Sequence, residues 1–225
     1  MAPSLILSAA VQLSPFRGAD GQPMSDVSEF AKVLDYIGSL FLAFPLSHLF
    51  LTVSPEIMNY DVWGSFTPTV GPNAPLNDSC APPADQQGSA VSAVQAWSKA
   101  GFPKNQIILG VPSYGHSFRV KRCEALDTSG KLQLYPAFNK TDQPAGDKWD
   151  GTAGGVDICG NPNVVGGIFD FWGLIDAGFL GPNGTAAPGI YHTFDECSKT
   201  VRTLNTHRNF GQLSNDHSIL AFHIQ

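Results

Sequence analysis

Residues 56–66 read EIMNYDVWGSF, and they place a phenol, a carboxylate and an indole directly after an apolar run. A strand that only fills a core typically ends in glycine, proline or serine. Here Tyr60, Asp61 and Trp63 stand at that end instead. The pattern predicts a strand whose end forms a binding or catalytic site.

The composition favours a neutral ligand over nucleic acid. The chain has 225 residues, enough for one domain or two small ones. Only 14% of the residues are charged, against about 25% in an average soluble domain. The formal net charge is −6, so the sequence provides no basic surface that would follow a phosphate backbone. The 23 glycines and 17 prolines predict long loops.

The apolar periodicity predicts alternating strands and helices. We expect buried strands at 5–11 and 35–37 and another from Asn105 onward, with helices at 25–34 and 88–100, the second capped by Ser89. This alternation indicates right-handed βα units on a parallel sheet. Residues 119–190 interrupt it with glycine, aspartate and proline clusters. They predict a small α+β insertion with one helix near 169–179.

An apolar segment interrupts the strand that leads to the site. Residues 38–55 carry no charge, but they are too short for a membrane span of about 20 residues. They also contain Pro45, which disfavours a helix interior. Removing the segment joins the flanks as KVLDYIEIMNYDVWGSF, which alternates as one strand. We therefore predict an atypical insert within a strand, with a membrane span as a weak alternative.

The cysteines and glycosylation sequons favour a secreted protein without a metal. The four cysteines form no C-x-x-C pair, which disfavours zinc and thioredoxin-like chemistry and leaves three connectivities for two disulfides. Three histidines after residue 200 lack a specific metal-ligand spacing, so we expect no metal. Sequons at Asn77, Asn139 and Asn183 fit a secreted glycoprotein. The opening residues carry no Lys or Arg before their apolar run, which predicts that this chain has no signal peptide.

The strand IEIMNYD, restored by omitting the insert, resembles the Met-x-Tyr-Asp motif of glycoside hydrolase family 18, the chitinases. LILSAAVQLSPF resembles the fifth barrel strand of that family, LDYI joined to EIMNYDVWGSF the sixth, and IILGVPSYGHSF the seventh. The stretch from GGVDICGNP to GIYHTFDECSKT resembles the insertion domain of fungal members. The resemblance implies an α/β fold: a partial TIM (β/α)8 barrel, strands five to seven, with a small α+β insertion subdomain.

The domain organisation follows from that resemblance. We expect a partial barrel at 1–118 that includes the insert 38–55, the chitinase insertion subdomain at 119–190, and a return segment with a divergent tail at 191–225. The family's Asp-Gly-x-Asp-x-Asp-x-Glu, which carries the general acid on strand four, does not occur in these residues. Strands one to four and eight also lack counterparts. These absences indicate part of a longer gene product, and they predict that the chain alone is inactive.

The resemblance implies hydrolysis of β-1,4-N-acetylglucosamine linkages in chitin. The family's mechanism is substrate-assisted and retaining, and it needs no cofactor. A secreted protein, monomeric in its full-length form and acting on chitin or chitooligosaccharides, is therefore expected. The alternative is a non-catalytic chitin-binding protein of the same fold. A membrane-anchored protein that uses residues 38–55 is the third possibility.

The resemblance also implies roles for individual residues. Tyr60 would hydrogen-bond the sugar acetamido group, and Asp61 would bind the distorted sugar; these two form the candidate catalytic pair. Without a ligand role, Tyr60 would be a core aromatic residue and Asp61 a turn residue.

The candidate substrate-binding residues surround that pair: Met58, Trp63, Tyr114 and His116. Trp63 fits either a sugar platform or ordinary packing. Family members commonly have arginine where His116 stands, so a structural role for this histidine is the favoured alternative. In the insertion, Trp149 and Trp172 fit either a wall of the substrate groove or core packing, and we expect them to pack in the core.

Overall fold

The computed structural model describes residues 6–37, 57–150, 156, 158–162 and 165–205, together with the backbone of 217–222. These residues belong to two compact units. The first unit comprises Met1–Tyr60 and Gly88–Val111, and the second comprises Asp61–Gln87 and Pro112–Gln225.

The elements follow in chain order. The strands are β1 Ser8–Ala9, β2 Tyr36–Ile37, β3 Ile57–Met58, β4 Leu109–Gly110, β5 Tyr114–Lys121, β6 Ile168–Asp170, β7 Tyr191–Asp195, β8 Thr200–Leu204 and β9 His217–Phe222. The helices are α1 Ala90–Lys99, α2 Arg122–Ala125 and α3 Phe171–Asp176. Short 3-10 turns lie at Phe30–Lys32, Pro83–Asp85 and Lys104–Gln106.

Helix α1 confirms the prediction of a capped helix behind Ser89. The Ser89 hydroxyl accepts the Ser92 N–H, and the Ser92 hydroxyl accepts the Ser89 N–H, so two donors at the helix start are satisfied reciprocally. The helix buries Ala93 and Trp97 in the core of the first unit. The core residues are Val11, Val27, Ile37, Ile57, Ala93, Trp97, Ala100 and Phe102.

Strands β2 and β3 occupy successive positions along one side of β1. Parallel pairing places Ala9 opposite Ile37, and a parallel bridge places Val11 opposite Ile57. Ala9 and Val11 are two residues apart, so Ile37 and Ile57 lie two strand positions apart as well.

The pairing partners on the other side of β2 and β3 give the same spacing between Ile37 and Ile57. A parallel bridge joins Ile37 to Ile107, and β3 pairs with β4 so that Ile57 faces Leu109. One residue therefore fits between Ile37 and Ile57 in this ladder. Both isoleucines are fully buried, as expected for positions that share one face of a strand. The insert 38–55 itself lies outside the described residues.

The predicted helix at 25–34 is wrong: among these residues the structure has only the 3-10 turn Phe30–Lys32. The Asp26 carboxylate accepts the Ser28 N–H, and the Val27 N–H donates to the Ala100 carbonyl oxygen. The Ser28 and Val27 N–H groups thus make a local turn hydrogen bond and a tertiary hydrogen bond, instead of the hydrogen bonds within a helix. The apolar spacing reflects burial of Val27 in the core rather than a helical period.

The strand predicted from Asn105 is also divided. Ile107 and Leu109–Gly110 pair in parallel, the latter as β4, whereas Tyr114 begins β5 in an antiparallel sheet. Pro112 stands between them and has no N–H to donate to a ladder. The two stretches belong to different units.

The second unit is built on an antiparallel sheet of order β6-β5-β9-β8-β7. Its larger cluster contains Val70, Phe118, Val120, Ala125, Leu132 and Leu204. A smaller cluster contains Phe169, Leu174, Phe179, Leu180 and Ile190, and α3 confirms the helix predicted near 169–179. A disulfide joins Cys80 to Cys197.

No helix in the described residues is both long enough and apolar enough to cross a bilayer.

Deleting residues 38–55 should preserve the fold of the first unit and raise its stability. The deletion joins Ile37 to Ile57 through Glu56 alone, which supplies the one residue that the ladder accommodates. Closing the longer connection costs on the order of 2 kcal/mol in chain entropy. Urea unfolding of both proteins measures the difference in the free energy of unfolding.

Deleting residues 38–56 is the matched control. Removing one more residue would turn Ile57 to the other face of the strand, because side chains alternate. We expect this protein to be much less stable than the 38–55 deletion. Equal stability of the two deletions would contradict the register argument.

Candidate functional site

The candidate site is organised around one oxygen of Asp61 in the second unit. The Tyr114 hydroxyl donates to Asp61 Oδ1 at 2.9 Å, and His116 Nε2 lies 2.8 Å from the same atom. Tyr114 and His116 are two residues apart on β5, so their side chains lie on one face of the sheet. An ionised carboxylate can only accept, so the hydrogen bond requires the proton on His116 Nε2.

The backbone at Asp61 is held in an uncommon conformation. Its φ of 53° lies in the left-handed region, which aspartate tolerates better than most residues. The Asn73 side-chain oxygen accepts the Asp61 N–H at 2.9 Å, and its amide nitrogen donates to the Tyr114 carbonyl oxygen at 3.0 Å. Asn73 is 2% exposed. One buried amide therefore joins the Asp61 backbone to β5.

The electrostatics keep Asp61 ionised. The hydrogen bond from His116 is the main cause that holds the pKa of Asp61 below its ordinary value; burial opposes it and the Tyr114 hydroxyl reinforces it. The Asp61 side chain is 50% exposed. No described residue donates to its second oxygen, Oδ2.

The other predicted residues divide between the two units. Met58 ends β3, and Met58 and Tyr60 are both partly buried in the first unit. The Asn59 N–H turns back to the Ile57 carbonyl oxygen at 2.7 Å, which ends the strand there. Direct hydrogen bonds join Tyr114 and His116 to Asp61, so these three predicted residues lie together.

Trp63 lies in the core of the second unit rather than on its surface. It is 1% exposed, and its ring centroid is 5.6 Å from that of Tyr135. A Cβ added at Gly71 would lie 2.0 Å from the Trp63 indole, so the ring packs directly on this glycine. The Arg202 guanidinium covers the Tyr135 ring at 5.0 Å. The structure therefore gives Trp63 a packing role.

The sequence pattern did not indicate the role of Asn73. Its neighbours Gly71, Pro72 and Pro75 indicate a turn, where asparagine is common for local reasons. Nothing in that pattern distinguishes an exposed turn asparagine from a buried bridge to a strand 41 residues away. Among the described residues, no group of His, Cys, Asp and Glu side chains could hold a metal ion.

Replacing Asn73 with alanine should destabilise the second unit. The change removes the two side-chain bonds to Asp61 and Tyr114 from a buried amide, a loss of about 1–3 kcal/mol. The free energy of unfolding in urea measures it. Asn105→Ala is the control because Asn105 is exposed, and it should change stability by less than about 0.5 kcal/mol. Equal effects of the two changes would refute the bridging role.

Replacing His116 with alanine should raise the pKa of Asp61 toward its ordinary value, whereas His116→Gln should raise it less because an amide donor remains. Carboxyl carbon NMR titration measures this pKa. Since the pKa is lowered in the folded state, the associated stability is present above the unfolded value of about 3.9 and is lost as pH falls through the folded value. His116→Ala should therefore lose stability at pH 7 but not below the folded pKa. An unchanged Asp61 pKa in both variants would contradict the assignment.

Curated proteins show close similarity over most of this chain. A chitinase-like effector of Moniliophthora roreri is 52% identical over 206 residues, which cover 91% of this chain and 46% of that protein. A chitinase-like effector of Moniliophthora perniciosa is 46% identical over 202 residues, covering 89% of this chain and 41% of that one. The chain thus spans less than half the length of these relatives.

A solved structure shows similarity in fold. A chitinase from Rhizomucor miehei aligns with a TM-score of 0.69 at 27% identity, covering 97% of this chain and 50% of that one. The family model described as glycosyl hydrolases family 18 matches residues 50–200, which is more than half of the chain. Members of this family have a TIM-barrel fold. The chain belongs to glycosyl hydrolase family 18.

Proposed function

We propose that this chain is a chitin-directed domain that binds N-acetylglucosamine units through Asp61. The observation that carries the proposal is the pair of donors from β5, Tyr114 and His116, which hold Oδ1 of an ionised carboxylate. The side chain that carries this carboxylate is 50% exposed. Family membership supplies the ligand class, since the family acts on chitin-type polymers.

The hydrogen bonds around Asp61 fix its carboxylate before a ligand binds. A free carboxylate rotates and loses that freedom when a ligand binds. Two side-chain donors on Oδ1 and the Asn73 bond to the Asp61 N–H fix the carboxylate beforehand. A sugar hydroxyl or acetamido N–H then donates to Oδ2, and hydrogen bonds to charged groups are the stronger class.

Catalysis by these 225 residues alone is not part of the proposal. The family's substrate-assisted retaining mechanism needs a general acid, and the Asp-x-Asp-x-Glu run that supplies it is not in the sequence. A positioned acid contributes about 10² to 10⁴ in rate. Asp61 cannot replace it, because a carboxyl with a lowered pKa holds no proton at neutral pH. The function proposed for these residues is therefore binding of chitin and not its hydrolysis.

Two further parts of the proposal concern architecture and compartment. We assign β1 to β4 to strands five to seven of the family barrel, with β2 and β3 as two parts of strand six, and residues 119–190 to its insertion. Secretion is supported by the Cys80–Cys197 disulfide, a bond typical of oxidising compartments. The exposed sequon residues Asn139 and Asn183 also support it.

Asp61→Asn should weaken binding of chitotetraose by about ten- to a hundredfold, because a charge-assisted hydrogen bond becomes a neutral one. Asparagine is the appropriate replacement, since it also tolerates the left-handed backbone at this position. Isothermal titration calorimetry measures the affinity. The wild-type chain should release no chitobiose from a fluorogenic chitooligosaccharide.

Asp20→Asn is the control, because Asp20 is an exposed turn residue whose bond to the Gln22 N–H an asparagine oxygen can also accept. It should bind chitotetraose like the wild type. Failure of the wild type to bind would reject the proposed function. Turnover that Asp61→Asn abolishes would show that the chain is an enzyme in its own right.

A further inference from the structure

Two of the four tryptophans lie at the surface of the second unit. Trp149 is 73% exposed and Trp172 is 36% exposed, whereas Trp63 and Trp97 are buried. The expectation that Trp149 and Trp172 pack in the core is therefore wrong for this pair. Their rings meet edge to face at 88°, with centroids 6.2 Å apart. An indole this exposed contributes little to the core, and exposed aromatic surface commonly marks a binding site.

Trp149 lies on a turn that is fixed by the carboxylate of Asp147. One Asp147 oxygen accepts the Trp149 N–H at 2.8 Å, and the other accepts the Asp170 N–H at 2.7 Å. The Asp147 N–H donates to the Ile168 carbonyl oxygen at 2.9 Å. Asp147 is thus hydrogen-bonded to both ends of β6.

A second carboxylate fixes the other end of the turn. Asp150 Oδ2 accepts the Gly146 N–H at 3.0 Å and the Gly167 N–H at 2.7 Å. A Cβ added at Gly146 would lie 2.0 Å from the Ile168 carbonyl oxygen, so the turn packs against β6 without space for a side chain. The backbone that carries Trp149 is consequently rigid, although its indole is mostly in solvent.

Polar groups border the aromatic pair. Lys148 Nζ lies 4.8 Å from the centroid of the Trp172 ring and 3.4 Å from Asp176 Oδ2. Both of these charged side chains are about two-thirds exposed, at 65% and 64%. Lys148 therefore provides a donor beside the rings and Asp176 an acceptor, and together the two side chains add no net charge.

We propose that Trp149 is a stacking platform for a pyranose ring of the chitin chain, bordered by Trp172, Lys148 and Asp176. This inference rests on the proposed function and adds a second sugar contact to the one at Asp61. The platform places its apolar face under the sugar and its polar border at the sugar's edge.

The ligand chemistry follows from the shape and charge of this surface. The ring substituents of β-linked N-acetylglucosamine are equatorial, so its two faces expose C–H groups and its edge carries hydroxyl and acetamido groups. An indole face matches the C–H surface. The ammonium and carboxylate beside it match the polar edge, as in sites where few polar groups orient a ligand. A rigid tryptophan binds at low entropic cost, because the turn is ordered before the ligand arrives.

The test compares Trp149→Ala with the wild-type chain in calorimetric titrations with chitohexaose. We expect affinity to fall about tenfold or more, as for truncation of an aromatic residue at a binding hot spot. Trp149→Tyr retains an aromatic face and should retain most of the affinity. Phe194→Ala is the matched control, because Phe194 is 47% exposed and also has a lysine, Lys199, over its ring at 5.6 Å.

Fluorescence gives a second readout. Chitohexaose should shield Trp149 from acrylamide quenching, and this protection should be absent in Trp149→Tyr, whose remaining tryptophans are Trp63, Trp97 and Trp172. If Trp149→Ala and the wild type have equal affinity while Asp61→Asn still weakens binding, the platform is overturned and the proposed function stays intact. Absence of binding by the wild type would overturn both.

Discussion

The side-chain amide of Asn73 is the interaction on which the candidate site depends. It accepts from the Asp61 N–H and donates to the Tyr114 carbonyl oxygen. The main-chain carbonyl oxygen of Asn73 also accepts the Val62 N–H, at 3.0 Å. The loop that follows the motif strand is thereby fastened to the first residue of β5. Tyr114 and His116 reach Asp61 Oδ1 because the backbone is already in place.

Carboxylates serve two different purposes in the second unit. Asp147 and Asp150 direct their oxygens to backbone N–H groups, so they order a turn. Asp61 accepts hydrogen bonds from two side chains on one oxygen, and its side chain is half exposed. Both arrangements use the acceptor capacity of a carboxylate: in the turn the donors are backbone N–H groups, and at Asp61 they are side chains. The same residue type thus stabilises the Trp149 turn and forms the core of the candidate site.

The sequence correctly predicted the features that depend on interactions between neighbouring residues. The cap at Ser89, the helix behind it and the helix near Phe171 follow from side-chain spacing and end chemistry, and the structure has all three. Periodicity could not show that Val27 donates its N–H to Ala100 instead of forming a helix. The sequence also could not show that Trp63 is buried and Trp149 is exposed, because an indole is apolar in both environments. Burial is decided by Gly71 in one case and by the Asp147 turn in the other.

The bond between Cys80 and Cys197 closes a covalent ring that contains every residue between them, a sequence separation of 117. If a protease hydrolyses any one peptide bond inside this ring, the two pieces stay a single covalent molecule. Asp61 lies on the amino-terminal side of the ring, and Tyr114 and His116 lie within it. A single nick inside the ring therefore cannot separate the carboxylate from its two donors by diffusion while the disulfide is intact. The bond therefore protects the site against dispersal after a single cleavage as well as against unfolding.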